Sequence, residues 1–189
     1  MRTALIATTT AILTLGLAAC GTPEPADTDT ADAMPIETAS AMPETATAAL
    51  ATADGQDVGT VTATDTGTGV QIAINAMNMP AGEHGVHVHT TGACDAPDFT
   101  SAGGHWNPDS TKHGLEAEGG QHAGDMPNLV VGEDGTGTLE YMLEGGATFA
   151  GLMDADGSAF IVHEGADDQM TDPSGDSGSR IACGVFAAG

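Results

Sequence analysis

Histidines are the residues of this chain best suited to chemistry, and all seven fall between residues 84 and 163. Neutral imidazole is a common ligand of zinc and copper, so a cluster of histidines is first of all a candidate metal site. Histidines placed at random on a surface would scatter over the whole sequence instead. The clustered residues are His84, His87, His89, His105, His113, His122 and His163. Their clustering predicts a metal-binding function.

The first ligand group is predicted from the strand spacing of two histidines. Residues two apart in a β-strand point to the same face, so His87 and His89 can hold one metal together. His163 ends another predicted strand and can complete this site as a histidine-only set, which suits copper. His84 is at odd spacing to the pair. We therefore expect it on the opposite face, in a structural role that hydrogen-bonds backbone.

The second ligand group lies along a long segment without strand character. His105, His113 and His122 follow one another at intervals of eight and nine residues, and Asp125 comes three residues later. Three imidazoles and one carboxylate form a closed four-ligand set that suits zinc. The spacing therefore predicts a loop that folds around the ion.

The segments that must position these ligands have the pattern of short β-strands. Apolar alternation or β-branched runs are separated by turn residues such as Asp-Gly and Thr-Gly. The predicted strands are 46–53, 57–65, 69–75, 84–89, 127–131, 136–143, 158–163 and 180–186. No stretch of the domain keeps a helical apolar period. We predict an all-β fold, a Greek-key antiparallel β-barrel or sandwich of about eight strands, with two long functional loops at 90–126 and 164–179.

The first residues have the character of an export signal. Arg2 precedes an apolar stretch that is too short to span a membrane, and a small-residue site ends at Cys20. This pattern resembles the lipobox of bacterial lipoproteins, although an ordinary signal peptide with an incidental cysteine is the alternative. It predicts a signal peptide over 1–19, lipidation of Cys20, and a protein of the bacterial cell envelope. Such a protein would be lipid-anchored, and periplasmic or outer-membrane associated.

Composition divides the rest of the mature chain into a tether and one domain. Residues 20–45 are rich in Thr, Ala, Pro, Asp and Glu, and such a segment cannot bury enough surface to offset the entropy of ordering. We expect a disordered acidic tether there and a single domain over 46–189. The domain contains 21 acidic residues against Lys112 and Arg180, a formal charge of −19. Repulsion excludes nucleic acid and anionic lipid surfaces as partners.

The domain has two cysteines, Cys94 and Cys183. In an exported protein they are expected to pair, and two independent buried thiols are the alternative. A disulfide would close a loop of about ninety residues, for which chain entropy gives roughly 4–5 kcal/mol of stabilisation before strain.

Five motifs together carry a family resemblance that none of them carries alone. They are GEHGVHVH (82–89), SAGGHWNP (101–108), HGLEAEGGQHAGD (113–125), VHEGADD (162–168) and GSRIACGV (178–185). With these motifs the domain resembles the copper/zinc superoxide dismutase family over most of residues 46–189.

The resemblance implies a role for each matching residue. It places copper on His87, His89, His105 and His163, and zinc on His105, His113, His122 and Asp125. His105 then bridges the two metals. Asp167 matches a carboxylate that links a copper ligand to a zinc ligand, and Arg180 matches the arginine that draws in the anion. Cys94 and Cys183 match the family disulfide.

The implied activity is the conversion of superoxide to dioxygen and hydrogen peroxide by Cu(II)/Cu(I) cycling, with His105 and Arg180 as catalytic residues. A homodimer is one oligomeric state compatible with the resemblance. The 164–179 loop lacks the lysines that relatives commonly carry, and Asp176 adds negative charge where relatives often have Asn. The alternative function is a non-catalytic copper/zinc-binding or metal-buffering envelope lipoprotein. Arg180 argues against it, because metal storage needs no anion-guiding arginine.

Overall fold

The computed structural model describes residues 43–189, which form a nearly all-β domain. The predicted signal peptide, Cys20 and almost all of the predicted tether lie outside the described residues. No helix within residues 43–189 is long and apolar enough to cross a membrane. The strands are β1 (Thr45–Ala51), β2 (Asp57–Asp65), β3 (Val70–Ala76), β4 (Gly82–His84), β5 (Val86–His89), β6 (Leu129–Val131), β7 (Gly137–Met142), β8 (Ala159–His163), β9 (Arg180–Val185) and β10 (Ala187–Ala188).

The strands form one curled antiparallel sheet and a small second sheet. The order in the large sheet is β5-β8-β9-β1-β2-β3-β7, with β10 paired to β1, while β4 and β6 pair separately. Neighbours such as β5 and β8, or β3 and β7, are distant in sequence, so long connections cross between them as in a Greek key. The predicted all-β antiparallel fold is confirmed.

Alternation of apolar and polar residues explains the central strands. In β3, Val70, Ile72 and Ile74 are buried while the residues between them face outward. Strand β1 buries Ala46, Ala48 and Leu50 in the same way. Burying each of the larger side chains contributes about 1.5–3 kcal/mol, so this period-2 pattern fixes which face of the sheet meets the core.

Strands β5 and β8 depart from alternation because every one of their residues is buried. Val86 and Val88 enter the main core, while His87 and His89 point the other way and are covered by the long loops. Loop 90–126 returns across β5 through Val88, which donates its N–H to Gly124 O and accepts from Trp106 N. A side chain at Gly124 would collide with Val88 O, so the close approach of this loop requires glycine.

The structure differs from the predicted elements at three places. The predicted strand 84–89 is split at Gly85, whose N–H and C=O bond Gly165 and His163, so β4 leaves the large sheet and pairs with β6. A four-residue helix, α1 (Phe149–Leu152), is capped at its N-terminus by Thr148, whose hydroxyl accepts a hydrogen bond from Gly151 N. Strand β10 was not predicted, since two residues are too few to give a period.

Candidate metal centre

Two paired strands and one loop bring four histidines together. His87 and His89 lie on the same face of β5, as their spacing predicted, and His163 ends the neighbouring strand β8. His105 comes from the 90–126 loop and faces His89 through an isolated antiparallel bridge. All four rings are at least nine-tenths buried.

Each of these four rings has one nitrogen without a hydrogen-bond partner among residues 43–189. These atoms are His87 Nδ1, His89 Nε2, His105 Nε2 and His163 Nε2. The four residues offer ligand atoms that all lie within 4.8 Å of one another. Burying an unpaired polar atom costs free energy, and four that converge on one point are explained by a cation that accepts their lone pairs. The donor set therefore fits copper, which imidazole ligands suit.

A second cluster is centred on one oxygen of Asp125. Asp125 Oδ1 lies 2.9 Å from His105 Nδ1, 3.1 Å from His113 Nδ1 and 3.3 Å from His122 Nδ1. The other oxygen, Oδ2, accepts the backbone N–H of Gly114 at 2.8 Å and of His122 at 3.1 Å. Three ring nitrogens around one fixed carboxylate oxygen are a donor set that fits zinc.

His87 also lies within 4.8 Å of His105, His113 and Asp125, which makes it a rival to His122 as fourth member of this cluster. Its two nitrogens decide against that role. His87 Nε2 contacts Asp167 Oδ2 at 2.6 Å, and Nδ1 is the atom left for the histidine-only group. His122 Nδ1 is 3.5 Å from His105 Nδ1 and next to Asp125 Oδ1, so His122 is the better fourth donor.

His105 takes part in both clusters through different atoms. Its Nδ1 faces Asp125, while its Nε2 is one of the four unpaired nitrogens of the histidine-only group. The structure thus brings together every histidine and carboxylate of the two predicted ligand sets. A ring placed in this way can touch two metals at once.

Asp167 connects the two clusters from behind. Its Oδ2 contacts His87 Nε2 at 2.6 Å, and its Oδ1 contacts His113 Nε2 at 3.0 Å. The side chain of Asn128 holds the Asp167 backbone by two hydrogen bonds, accepting from its N at 2.8 Å and donating to its O at 2.9 Å. Gly175 packs so closely on Asp167 that a side chain there would overlap the carboxylate. Such outer partners fix the tautomer and orientation of ligating rings.

Burial sets the protonation of the histidine-only group. It lowers the pKa of His87 to about 3 and that of His163 to about 4, and it moves the pKa values of His89 and His105 below 6.5 as well. These rings are therefore neutral at pH 7 and ready to donate lone pairs, as a metal requires.

His113 behaves differently because it lies between two carboxylates. Burial acts to lower its pKa, but its contacts with Asp125 and Asp167 outweigh burial and raise the pKa to about 9. Contacts with histidines hold the pKa values of both carboxyls well below the usual range, against the effect of burial. In the metal-free protein His113 consequently carries a proton that zinc would have to displace.

Arg180 lies beside the histidine-only group and is fixed by backbone carbonyls. Its Nη1 donates to Phe99 O and its Nη2 to Gly103 O, both at 2.7 Å. Arg180 also lines a cavity of about 250 Å³, whose other lining residues are His89, Gly104, His105, His163, Pro173, Ser174 and Gly178. An anion that enters this cavity reaches a fixed guanidinium and three rings of the group together.

The segment that supplies those carbonyls is tied to the strand carrying Arg180. Cys94 and Cys183 form a disulfide that joins the 94–103 segment to β9. Phe99, in this segment, has a left-handed backbone with φ of 54° and packs under the disulfide in a small cluster with Ala102 and Ile161. Packing therefore holds Phe99 in the conformation from which its carbonyl reaches Arg180.

The sequence predicted the role of one positioning residue, His84, and missed several others. His84 is as predicted, since its ring nitrogens face His163 O at 2.8 Å and Pro80 O at 2.9 Å. Asn128 carried only the signal of a polar amide that directly follows Pro127 at the start of a predicted strand, and it is half-buried in the structure. The carbonyls of Phe99 and Gly103 carried none, since every residue has a carbonyl group.

Comparisons with known proteins agree with this geometry. The sequence pattern of the copper/zinc superoxide dismutase family (SODC) matches residues 58–186. A superoxide dismutase-like protein of Bacillus subtilis is 45% identical over 124 residues, 62% of this chain and 63% of that protein, less than two thirds of its length. Superoxide dismutase [Cu-Zn] 1 of Aquifex aeolicus is 43% identical over 123 residues, 62% of this chain and 72% of the relative.

A solved structure supports the same conclusion. The crystal structure of a superoxide dismutase-like protein from Bacillus subtilis has a TM-score of 0.67 and 40% identity, and the match covers 75% of this chain and 97% of that one. The chain belongs to the copper/zinc superoxide dismutase family. The metals of this family are copper and zinc, and the two clusters offer donors for both.

Proposed function

We propose that this protein is a superoxide dismutase. The observation that carries the proposal is His105, whose Nε2 joins four unpaired ring nitrogens while its Nδ1 faces Asp125. Copper would be held by His87, His89, His105 and His163, and zinc by His105, His113, His122 and Asp125. Copper supplies one-electron redox chemistry when bound, and zinc supplies a fixed positive charge.

The protein's own residues would bind the substrate and move the proton. The Arg180 guanidinium, fixed by two carbonyls, binds the superoxide anion at the cavity. His105 holds a proton at Nε2 in one half of the cycle and donates it to the departing peroxide in the other. The contact of His105 Nδ1 with the Asp125 cluster keeps the ring in place while Nε2 changes its protonation.

A metal-buffering protein is the second candidate, because the name of the Bacillus subtilis relative says only that it is superoxide dismutase-like. The two functions make different demands on Arg180. Storage requires the ligands alone, whereas dismutation also requires an anion to reach the cavity. Both hydrogen bonds of Arg180 go to backbone carbonyls, and neither goes to a ligand atom of the Asp125 cluster. Holding a metal therefore does not explain this residue, whereas binding an anion does.

The test is metal content together with dismutase activity of the domain and three variants. We expect one copper and one zinc per chain, with dismutase activity. Arg180→Ala should keep both metals and lose most of the activity, His105→Ala should damage both sites, and His163→Ala should lose copper alone. A fully loaded but inactive protein would support buffering instead. A single metal type at one per chain would contradict the shared His105.

We also propose that the protein works in the bacterial cell envelope, anchored by a lipid on Cys20. The support is the small-residue site that ends at this cysteine. Growth with a labelled fatty acid should label the wild type, and Cys20→Ser should remove the label and release the protein from membranes. A label that persists in Cys20→Ser would contradict the anchor.

A further inference from the structure

A second cavity lies beside the metal cavity and shares Arg180 with it. It has a volume of about 360 Å³ and is lined by Pro97, Asp98, Thr100, Gly178, Ser179 and Arg180. Gly178 and Arg180 also line the cavity that contains His89, His105 and His163. Arg180 therefore lines both cavities: one with an acidic residue in its wall, here called the outer cavity, and one that contains three histidines of the histidine-only group, here called the inner cavity.

The acidic residue of the outer cavity is held in a fixed orientation. Asp98 Oδ1 accepts hydrogen bonds from Thr100 N at 3.2 Å and from Thr100 Oγ1 at 2.9 Å. The opposing guanidinium is fixed as well, by Phe99 O and Gly103 O. Both charged groups are thus engaged by other partners, and no ion pair between them is formed within residues 43–189.

Although they are not paired, the two charges act on one another across the outer cavity. Hydrogen bonds to Thr100 are the main reason that the pKa of Asp98 is lowered, and the charge of Arg180 adds to the effect. Burial lowers the pKa of Arg180, and the charge of Asp98 acts in the opposite direction. An anion approaching Arg180 through this cavity is thus exposed to both charges.

We propose that Asp98 is a specificity-determining residue that opposes multiply charged anions at Arg180. This inference rests on the proposed function, in which the substrate is a monoanion. Arg180 alone would attract sulfate or phosphate more strongly than superoxide, because attraction scales with ligand charge. The repulsion from Asp98 scales in the same way, so a dianion is opposed twice as strongly as a monoanion. The charge of Asp98 thereby reduces the binding free energy of superoxide at Arg180, and it reduces the binding free energy of a competing dianion by about twice as much.

The structure offers a matched pair of variants for a test. Asp98→Asn removes the charge, and the amide oxygen of Asn can accept the same hydrogen bonds from Thr100. Asp95→Asn makes the same change of net charge on the same segment. Asp95 is exposed and is not among the residues that line either cavity. A difference between the two variants therefore reports on the position of the charge.

The measurement is anion binding to the copper- and zinc-loaded protein at low salt, with azide as monoanion and sulfate as its competitor. We expect Asp98→Asn to bind azide about twofold more tightly and sulfate about fourfold, the square of the first factor. Asp95→Asn should change both less than half as much. Both gains should shrink at about 0.15 M salt, where the screening length is about 8 Å.

Three results would overturn the inference: unchanged azide affinity in Asp98→Asn, an equal gain in Asp95→Asn, or a gain for sulfate no larger than that for azide. Weaker azide binding in Asp98→Asn would overturn it too, since Asp98 would then serve to orient Arg180. Dismutase activity measured on the same samples separates the two proposals. An inactive wild type with the expected anion effects overturns the proposed function alone, and an active wild type without them overturns this inference alone.

Discussion

At the scale of single residues, the metal centre depends on residues that lie outside the two predicted ligand sets. His87 and His113 each use one ring nitrogen toward a cluster and the other toward Asp167, at 2.6 and 3.0 Å. This leaves each ring only one nitrogen to donate to a metal. Asp167 thus determines which nitrogen of each ring faces its cluster, and Asn128 and Gly175 keep Asp167 in position.

Loss of the Asp167 charge should weaken zinc binding. Asp167→Asn keeps the size of the side chain but can present a carbonyl oxygen to only one of the two rings, so one ring loses its acceptor. We expect zinc affinity to fall by about 10–100-fold, the usual range for outer partners of metal-ligating histidines. A competition titration with a zinc chelator measures this.

The control for this change is Asp168→Asn, which removes a charge from the exposed neighbouring residue. The carboxylate of Asp168 accepts hydrogen bonds only from residues 170 and 171 of its own turn. It should leave zinc affinity within about twofold, because exposed charges have small effects. Equal losses of zinc affinity in both variants would show that net charge is responsible, and not the contacts of Asp167 with His87 and His113.

At the scale of elements, the sequence predicted the positions of the strands but not which strands pair with one another. Period-2 runs such as β2 and β3, bounded by Asp-Gly and Thr-Gly turns, determine local structure by themselves. The break at Gly85 depends on Gly165 and His163, about eighty residues away, so no local pattern contains it. The residues that gather in the two clusters could be picked out from the sequence because histidine and aspartate carry metal-binding chemistry in their side chains. The backbone carbonyls that hold Arg180 give no such signal, because every residue has one.

The disulfide is the element-scale contact with the largest expected effect on stability. It closes a loop with a sequence separation of 89 residues. The double variant Cys94→Ser, Cys183→Ser should therefore lose roughly 4–5 kcal/mol of unfolding free energy, mainly because the unfolded chain gains entropy. Urea unfolding of the metal-free domain measures the loss, and reductant should bring the wild type to the same midpoint. Two free thiols in denatured, unreduced wild type would contradict the prediction.

At the scale of the whole molecule, the formal charge of −19 on the domain of residues 46–189 opposes the local attraction of Arg180. The burial pattern leaves most acidic side chains exposed, so salt screens their repulsion readily. Groups that line the cavities are close to the approaching anion and are screened less. Salt therefore separates long-range repulsion from local attraction.

Dismutase activity should change little, or rise, as salt is added from a few millimolar. Screening removes the repulsion by distant carboxylates first, and at about 0.15 M only charges within about 8 Å count strongly. Pulse-radiolysis rates across a salt series measure the effect. A steep fall with added salt would mean that positive local steering dominates and that the acidic surface has little influence.

Stability of the metal-free domain should be greatest near pH 6.5. Because burial lowers the pKa values of His87 and His163 from 6.5 to about 3 and 4, the unfolded chain takes up protons more readily, and stability falls as the pH drops below 6.5. His113 acts oppositely. With its pKa raised to about 9, its stabilisation is complete below pH 6.5 and is lost as the pH rises through 9.

Urea midpoints at about pH 5, 6.5 and 9 test this stability profile. His113→Gln should remove much of the loss on the alkaline side and leave the acid side nearly unchanged. A midpoint that rises steadily from pH 6.5 to 9 would contradict the proton assigned to His113.

The pairing of β10 with β1 places the two ends of the domain side by side. Ala188 pairs with Ala46, and Gly189 N donates to Thr45 O at 2.9 Å. A short linker could therefore join these ends, and the chain could be reopened at the exposed Asp134 turn between β6 and β7. Such a circular permutant would place β7 first in the chain and Asp125 after His163. The ligands would keep their three-dimensional arrangement, because only their order along the chain would change.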